Sequence, residues 1–450
     1  MISQIVKEEN TYQGAFRAQQ ERAIELRASW IERLRESAMD RFSQLGFPSV
    51  NEEEWKYTNV APIAKIDFTL VTASDGKPSV LSEDQLAVFT YPEAENSRLV
   101  FVNGRLRRDL SSLAALPSGV VVTDLAEALK SDACGNVVRE HLARGADYND
   151  NGFTALNTAF ISHGAFVLIP KDVEIEAPLH LLFLSDAAQP NTATFPRVLV
   201  VAEANSGATV IESYASVGED VYFTNAVVEI VLADGARLEH YKVQHEGLNA
   251  FHMATSNVDL GPNSSFNTTA ITLGARLSRH NINIMMDHEG AECWVDGLYI
   301  VSTGQHADTH SVIDHKQPRC TSHQLYKGIL DGKSRAVFNG KVFVRHGAQK
   351  TDAMQTNKNL LLSNEAHVDT KPQLEIFADD VKCAHGAAVG QLDEDELFYL
   401  ESRGIHPDLA RNLLTYGFAE EVIGKIKVES IKAQLDEAVL NRLNARLEVR

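Results

Sequence analysis

Near the C-terminal third of the chain, Cys383 and His385 stand two residues apart in a run from Val381 to Gly390 that reads as an extended strand. On a strand they project from one face, so a thiolate and an imidazole could act on one metal ion or one sulfur atom. Gly386 would let another backbone approach closely, and Lys382 and His385 could lower the thiol pKa. From the strand alone, a buried structural cysteine beside a hydrogen-bonded histidine is the favoured reading. His306, Asp308 and His310 also alternate along a presumed strand, with Asp314, His315, Cys320 and His323 close behind. These are iron or zinc ligand types at a spacing that matches no standard zinc site, and a polar, hydrogen-bonded strand face is the alternative. The segment Gly328 to Ser334 imitates a phosphate-binding loop but has three residues between its glycines where that loop needs four, and its flanks read as strands. It is expected to be a tight turn. No serine, histidine and aspartate order, HExxH, GxSxG or GxGxxG stands out.

These residues need a scaffold, and the scaffold reads as mainly β. The chain has 450 residues, too long for one core, with 44% hydrophobic and 23% charged residues, as expected of a globular protein of two or three domains. Its net charge of −19 disfavours nucleic acid and anionic membrane as primary partners. No apolar run approaches the roughly 18 residues of a membrane span, and the N-terminus, with Glu8 and Glu9, resembles neither a signal nor a transit peptide. A cytoplasmic location is expected. Cys134, Cys293, Cys320 and Cys383 form no CxxC pair and should be reduced thiols.

Residues 1–154 read as an N-terminal helical and mixed α/β region. One amphipathic helix is expected over 14–45, carrying Ile24, Trp30, Ile31, Leu34, Ala38 and Phe42. Residues 155–390 change to short Val, Ile, Thr, Phe and Tyr runs broken by Gly, Asn, Asp and Ser. Turn-plus-apolar segments there end on Val210, Leu238, Phe266 and Cys293, at spacings of 28, 28 and 27 residues. That near-constant period predicts stacked turns of a β-helix, with a β-sandwich as the plainer alternative. No six-residue period supports a left-handed hexapeptide helix. Residues 391–450 read as a C-terminal helical domain. Asp393 and Glu396 form a capping box, Leu397, Phe398 and Leu400 a buried stripe, and Gly404 a stop. A second helix is expected from Pro407 to Tyr416, and a last one carries Val422, Ile426, Ile431, Leu435, Val439, Leu443 and Leu447. This domain could pack on the core or dock a partner.

The blocks Phe338 to Val344, Gln349 to Asp352, Gln355 to Asn357, Asn359 to Leu362, Thr370 to Asp380, Cys383 to Gly390 and Leu397 to Ile405 carry a resemblance. Weaker matches cover Glu54 to Tyr57 and Asp314, His315, Pro318 and Cys320. Together they resemble the SufB/SufD scaffold proteins of bacterial and plastid iron–sulfur cluster assembly. The likeness leans to the SufD side, since SufB-like chains carry a Glu-His-Glu type segment where this one has Cys383 to Ala387.

The resemblance implies a right-handed parallel β-helix between an N-terminal region and a C-terminal helical domain. It also implies a complex with SufB and two copies of the ATPase SufC. The ends of two β-helices would meet, and each helical domain would hold one ATPase, with a homodimer open to the isolated chain. Cys383 and His385 would lie at the SufB contact, where a nascent cluster or iron is handled transiently, His385 being the better ligand; His310, His315 and Cys320 are weaker candidates. No cluster would be held stably by the chain alone, and no turnover of its own is implied. A flavin linked to the wider complex has no identifiable site in this sequence. Two other classes stay open: a β-helix interaction protein without metal chemistry, and a polysaccharide-acting β-helix enzyme, disfavoured by the expected lack of an export signal.

Overall fold

The computed structural model describes residues 11–22, 29–70, 81, 83–186 and 191–448. Its centre is a two-sheet parallel solenoid in which consecutive strands alternate between the sheets. The first sheet runs through strands Arg197–Ala202, Tyr222–Leu232, Phe251–Leu260, Leu277–Met286, His306–His315, Arg335–Val344 and His367–Ile376. The second runs through Gly207–Ser216, Arg237–His245, Ser265–Thr272, Glu292–Val301, Thr321–Leu330, Asp352–Leu361 and Lys382–Gly390. Every pairing along these two series is parallel. Each turn closes its apolar face only against its neighbours, so the predicted stacked architecture holds.

The register is consistent with the sequence period with one adjustment. Leu238, Phe266 and Cys293 stack in one interior column, continued by Ser322, Ala353 and Cys383. Val210 lies two positions out of that column: Leu238 pairs with Ala208, and Val210 pairs with His240. A shift of two keeps the same face toward the core, which is why the apolar pattern concealed it.

One corner of the solenoid is a ladder of left-handed residues. Asp172, Asn205, Gly235, Asn263, Gly290, Arg319 and Lys350 all have φ between 50° and 75°. The N–H of each donates to a carbonyl of the next turn, from Asp172 to Ala204 through to Lys350 and Asp380. Asparagine, aspartate and glycine are the residues that tolerate this conformation most readily, and Arg319 and Lys350 keep it late in the stack. The corner thus repeats one backbone bend that lets the strands stay in register.

Inside the solenoid the mainly apolar core also contains a buried polar set. Lys242 Nζ meets His252 Nε2 at 2.9 Å, and His252 faces Glu246 at 2.7 Å. His240 joins Glu212 at 3.2 Å to Thr268 at 2.9 Å. Buried charges of this kind persist because each is matched by a partner.

At the N-terminal end the sheets close on short strands, Val121–Asp124 antiparallel to Gly164–Ile169, and Arg98–Val102 parallel to Leu179–Ser185. Helix Gly152–Ala159, capped by Asn151, is buried throughout. Asn157 and Thr158 reach Arg197, which is fully buried and paired with Glu229. The expected helix over 14–45 is described as Thr11–Arg22 and Ser29–Leu45, and Ile24 lies outside the described residues. Ile31, Ala38 and Phe42 are buried as expected.

The C-terminal helices differ from expectation in two respects. Helix Glu394–Ser402 starts at Asp393, whose carboxylate accepts from the N–H groups of Asp395 and Glu396, and Gly404 follows its end at φ 86°. Its expected buried stripe is absent: no residue of this helix is buried, and Phe398 is 72% exposed. The next helix does not stop at Gly417 but runs from Pro407 to Ile423. Val422 therefore belongs to it, Ile426 to the following loop, and the last helix is Glu429–Glu448. Val422, Ile423, Ile426, Val428, Ile431, Leu435 and Val439 pack on Tyr241, Val243, Ile271, Leu298, Ile300 and Ile329 of the second sheet. The side chains of Leu443 and Leu447 lie outside the described residues.

Two buried histidines make acid stability a test of this packing. Burial pushes His180 down to about 3 and His315 to about 4, from 6.5. Below pH 6.5 the unfolded chain binds protons that the folded chain refuses. Stability is then fully present above about 6.5 and falls by about 1.4 kcal/mol per pH unit per histidine until the folded values are reached. Urea unfolding should therefore show a midpoint that drops steadily from pH 7 to pH 5. A flat profile, or one unchanged when both residues are replaced by glutamine, would count against neutral burial of these rings.

Candidate functional site at the open end of the solenoid

At the C-terminal end the solenoid stops on two edge strands, His367–Ile376 and Lys382–Gly390, neither of which has a further strand beyond it among the described residues. The first carries Pro372, which has no N–H to offer a pairing partner. The second, with Gly386, Ala387, Ala388 and Val389 all exposed, keeps a full set of backbone groups. Ile376, Phe377 and Val389 add exposed apolar side chains beside these edges. Edge strands of this kind are normally covered, and an uncovered one is a template for another chain.

Cys383 and His385 both belong to the interior columns of this last strand. Cys383 is half-buried and packs against the core in register with Ala353, while His385 follows Gln355 in register and is exposed. Burial pushes the Cys383 thiol up from 9.0, nearby Asp352 adds to the rise, and a backbone hydrogen bond from Ala353 only partly offsets it. The expected lowering by Lys382 and His385 is thus reversed. Lys382 sits at the other parity of the strand, exposed to solvent, and desolvation wins. At neutral pH the residue is a thiol that packs as a small apolar group.

The other candidate ligands do not reach this place. His310 lies two strands back from the first sheet's edge, where its Nδ1 faces Glu54 at 3.3 Å and its Nε2 faces Asp308 at 3.1 Å. Asp308 in turn accepts from Thr58 at 2.6 Å and Arg279 at 2.8 Å, while His306 meets Thr58 at 3.0 Å. Arg279 lies 3.7 Å from the centre of the Trp55 ring. The segment Glu53 to Thr58 therefore straps across the first sheet, held further by Lys341 on Glu54 and Lys371 on Glu53. The crevice beneath the strap has room for about one water and is too small to seat a flavin ring. His315 points the other way, into the interior, where Nε2 meets Ser322 Oγ at 2.8 Å. Cys320 is buried and its thiol donates to the His288 carbonyl at 3.2 Å. Among the described residues no group of three or more His, Cys, Asp or Glu side chains could hold a metal ion.

The chemistry available to this end is consequently partial. One exposed imidazole and one half-buried thiol are two donors at most, whereas iron–sulfur clusters are held by four protein ligands. A cluster bound here would need its remaining ligands from another chain, on the face that the open edges present. The Gly328 to Ser334 segment is a strand end and a turn, with Gly332 at φ 55°, as its spacing indicated.

Sequence reading missed two features. Gln324 and Gln355 form a buried polar ladder directly beneath His385; Gln355 opens one of the resemblance blocks, but the pair is signalled by nothing beyond a 31-residue separation that matches the local turn length. The other is the exposed apolar face of the helices after residue 393, with Phe398, Tyr399, Leu409 and Leu413, of which Phe398 was expected to be buried.

Comparison with known proteins gives the family to which these features belong. The family model of the SUF system FeS cluster assembly SufBD core domain matches residues 183–418, and that of the SufBD N-terminal region matches residues 6–181. The chain is 37% identical to the iron–sulfur cluster assembly SufBD family protein slr0076 of Synechocystis sp., over 90% of this chain and 89% of that one. It is 33% identical to the iron–sulfur cluster assembly protein SufD of Escherichia coli, over 91% of each chain. With the iron–sulfur cluster assembly protein SufB of Bacillus subtilis it shares 28% identity over 75% of this chain and 73% of that one.

Proposed function

Because the chain belongs to the SufBD family and is a SufD-like subunit of iron–sulfur cluster assembly, we propose that the open end of its solenoid is one half of a joint with SufB. The observation that carries this reading is the uncovered edge strand Lys382–Gly390 with Cys383 and His385 in its interior columns. Strand addition there would extend the second sheet into the partner and bring a second set of ligands over His385. Iron or a nascent cluster is the cargo of that joint, held transiently, with His385 as this chain's ligand and Cys383 as a packing thiol.

The same reading gives the exposed face of the two helices after residue 393 to the ATPase SufC. Phe398 and Tyr399 on one helix and Leu409 and Leu413 on the next are apolar side chains left exposed, while the C-terminal part of the second helix buries Ala419, Val422 and Ile423 on the solenoid. Solvent-exposed apolar groups of this size mark interaction sites. The chain then acts as a scaffold, nucleotide turnover belonging to SufC, and works in the cytoplasm. No described helix is long and apolar enough to cross a membrane.

The test is to co-express the chain with untagged SufB and SufC, isolate it anaerobically, and reconstitute with iron and sulfide. Retention of both partners and formation of a cluster are expected. A chain that recovers neither partner would favour a stand-alone interaction protein.

A further inference from the structure

The interior beneath His385 is not a generic apolar core. Strand register stacks His385 on Gln355 and Gln355 on Gln324. Gln324 Nε2 donates at 2.8 Å to Ser311 Oγ, which reaches across from the first sheet. Gln355 Nε2 donates at 2.8 Å to Gln324 Oε1. Gln355 is 2% exposed, yet its Oε1 has no donor among the described residues. A buried carbonyl oxygen without a donor is an unfinished hydrogen bond, and native interiors rarely leave one.

A second observation shows that space for the ladder is built into the fold. Gly340 lies opposite Gln355, and a Cβ there would stand 2.4 Å from Gln355 Nε2 and 2.9 Å from its Cδ. Any other residue at 340 would push the amide out of line. The ladder from Ser311 through Gln324 to Gln355 is therefore held from both sheets, and it ends in an open acceptor next to the last strand.

We propose that Gln355 is a positioning residue for His385. When a partner covers the open end, Gln355 Oε1 accepts the N–H of one ring nitrogen, so the other nitrogen presents its lone pair outward to a divalent iron. A neutral imidazole has one donor and one acceptor nitrogen, and the hydrogen bond made by one decides which face binds metal. An amide suits this task, since it accepts the proton's hydrogen bond without adding a charge to the interior. The inference rests on the reading of His385 as a ligand.

The experiment compares Gln355→Met, Gln355→Glu and His385→Ala in the assembled complex. Iron content after anaerobic isolation, melting temperature, subunit stoichiometry and solid-state ¹⁵N spectra of histidine-labelled complex are measured, with His385 assigned by its absence in His385→Ala. Wild-type complex should show a single fixed tautomer of His385. In Gln355→Met, which leaves Gln324 Oε1 its contact with the Ser311 hydroxyl, iron should fall about 10-fold, with averaged ring-nitrogen signals at unchanged melting and stoichiometry. Gln355→Glu keeps an acceptor for the ring but loses the N–H donated to Gln324, so its iron content should lie between those of Gln355→Met and the wild type. Normal iron in Gln355→Met, or an averaged tautomer in the wild-type complex, would overturn the inference, and the wild-type spectrum decides even where the methionine variant does not fold. Loss of iron in His385→Ala but not in Gln355→Met removes only the positioning role, whereas normal iron in His385→Ala removes the ligand itself.

Discussion

Replacing His385 by alanine should give a complex that assembles and melts like the wild type but is isolated with iron and sulfide near background, at least about 10-fold below normal. The ring is exposed on an edge strand and makes no side-chain hydrogen bond among the described residues, so its removal breaks no packing. Exposed substitutions of that kind change stability by only about 0.5 kcal/mol. What disappears is the nitrogen donor proposed for the joint. Cys383→Ala is the paired control. Its thiol is held protonated by burial and packs on Ala353, so the loss of one sulfur atom should leave cluster content within about twofold. Equal severity in the two variants would mean that the sulfur takes part directly. A sharp drop in melting temperature of His385→Ala, or release of SufB, would mark the histidine as structural.

The second large effect is expected at the helices. Phe398→Asp combined with Leu413→Asp should abolish retention of SufC while leaving the melting temperature within about 2 °C, because both side chains face solvent. The last helix, Glu429–Glu448, behaves differently. Ile431 is fully buried against the second sheet, and Ile431→Ala should cost about 2–5 kcal/mol through the cavity it leaves. Deleting everything after residue 392 would conflate the two, since it also strips the cover from Tyr241, Ile271 and Leu298. Normal SufC stoichiometry in the double aspartate variant would defeat the assignment of this face.

How far the fold could be read in advance depended on which physical rule governed each element. The stacked turns were legible because Leu238, Phe266 and Cys293 recur at the period of one solenoid turn. The helix start at Asp393 and stop at Gly404 were legible because capping is local chemistry. The exposed face of helix Glu394–Ser402 was not, since an apolar residue carries no mark of whether its cover is its own chain or another. Cys383 and His385 were found by their shared parity, but the protonation of the thiol depended on burial that Lys382 cannot offset from the other face. Gln324 and Gln355 escaped because a polar side chain in a strand is expected to face water.

In a stack where each turn is stabilised by the turns on either side, the last one has a neighbour on one side only. The left-handed corner ends with Lys350 donating to Asp380, and among the described strands Lys382–Gly390 is paired with Asp352–Leu361 alone. Opening of this turn is then the lowest-energy excursion of the solenoid, and its amides should exchange with solvent long before those of the middle turns. A subunit without its partner would thus announce itself to proteases by fraying at this one place, while an assembled subunit would not. With the proposed joint, the unfinished end would tie the lifetime of the chain to the supply of the protein that completes it.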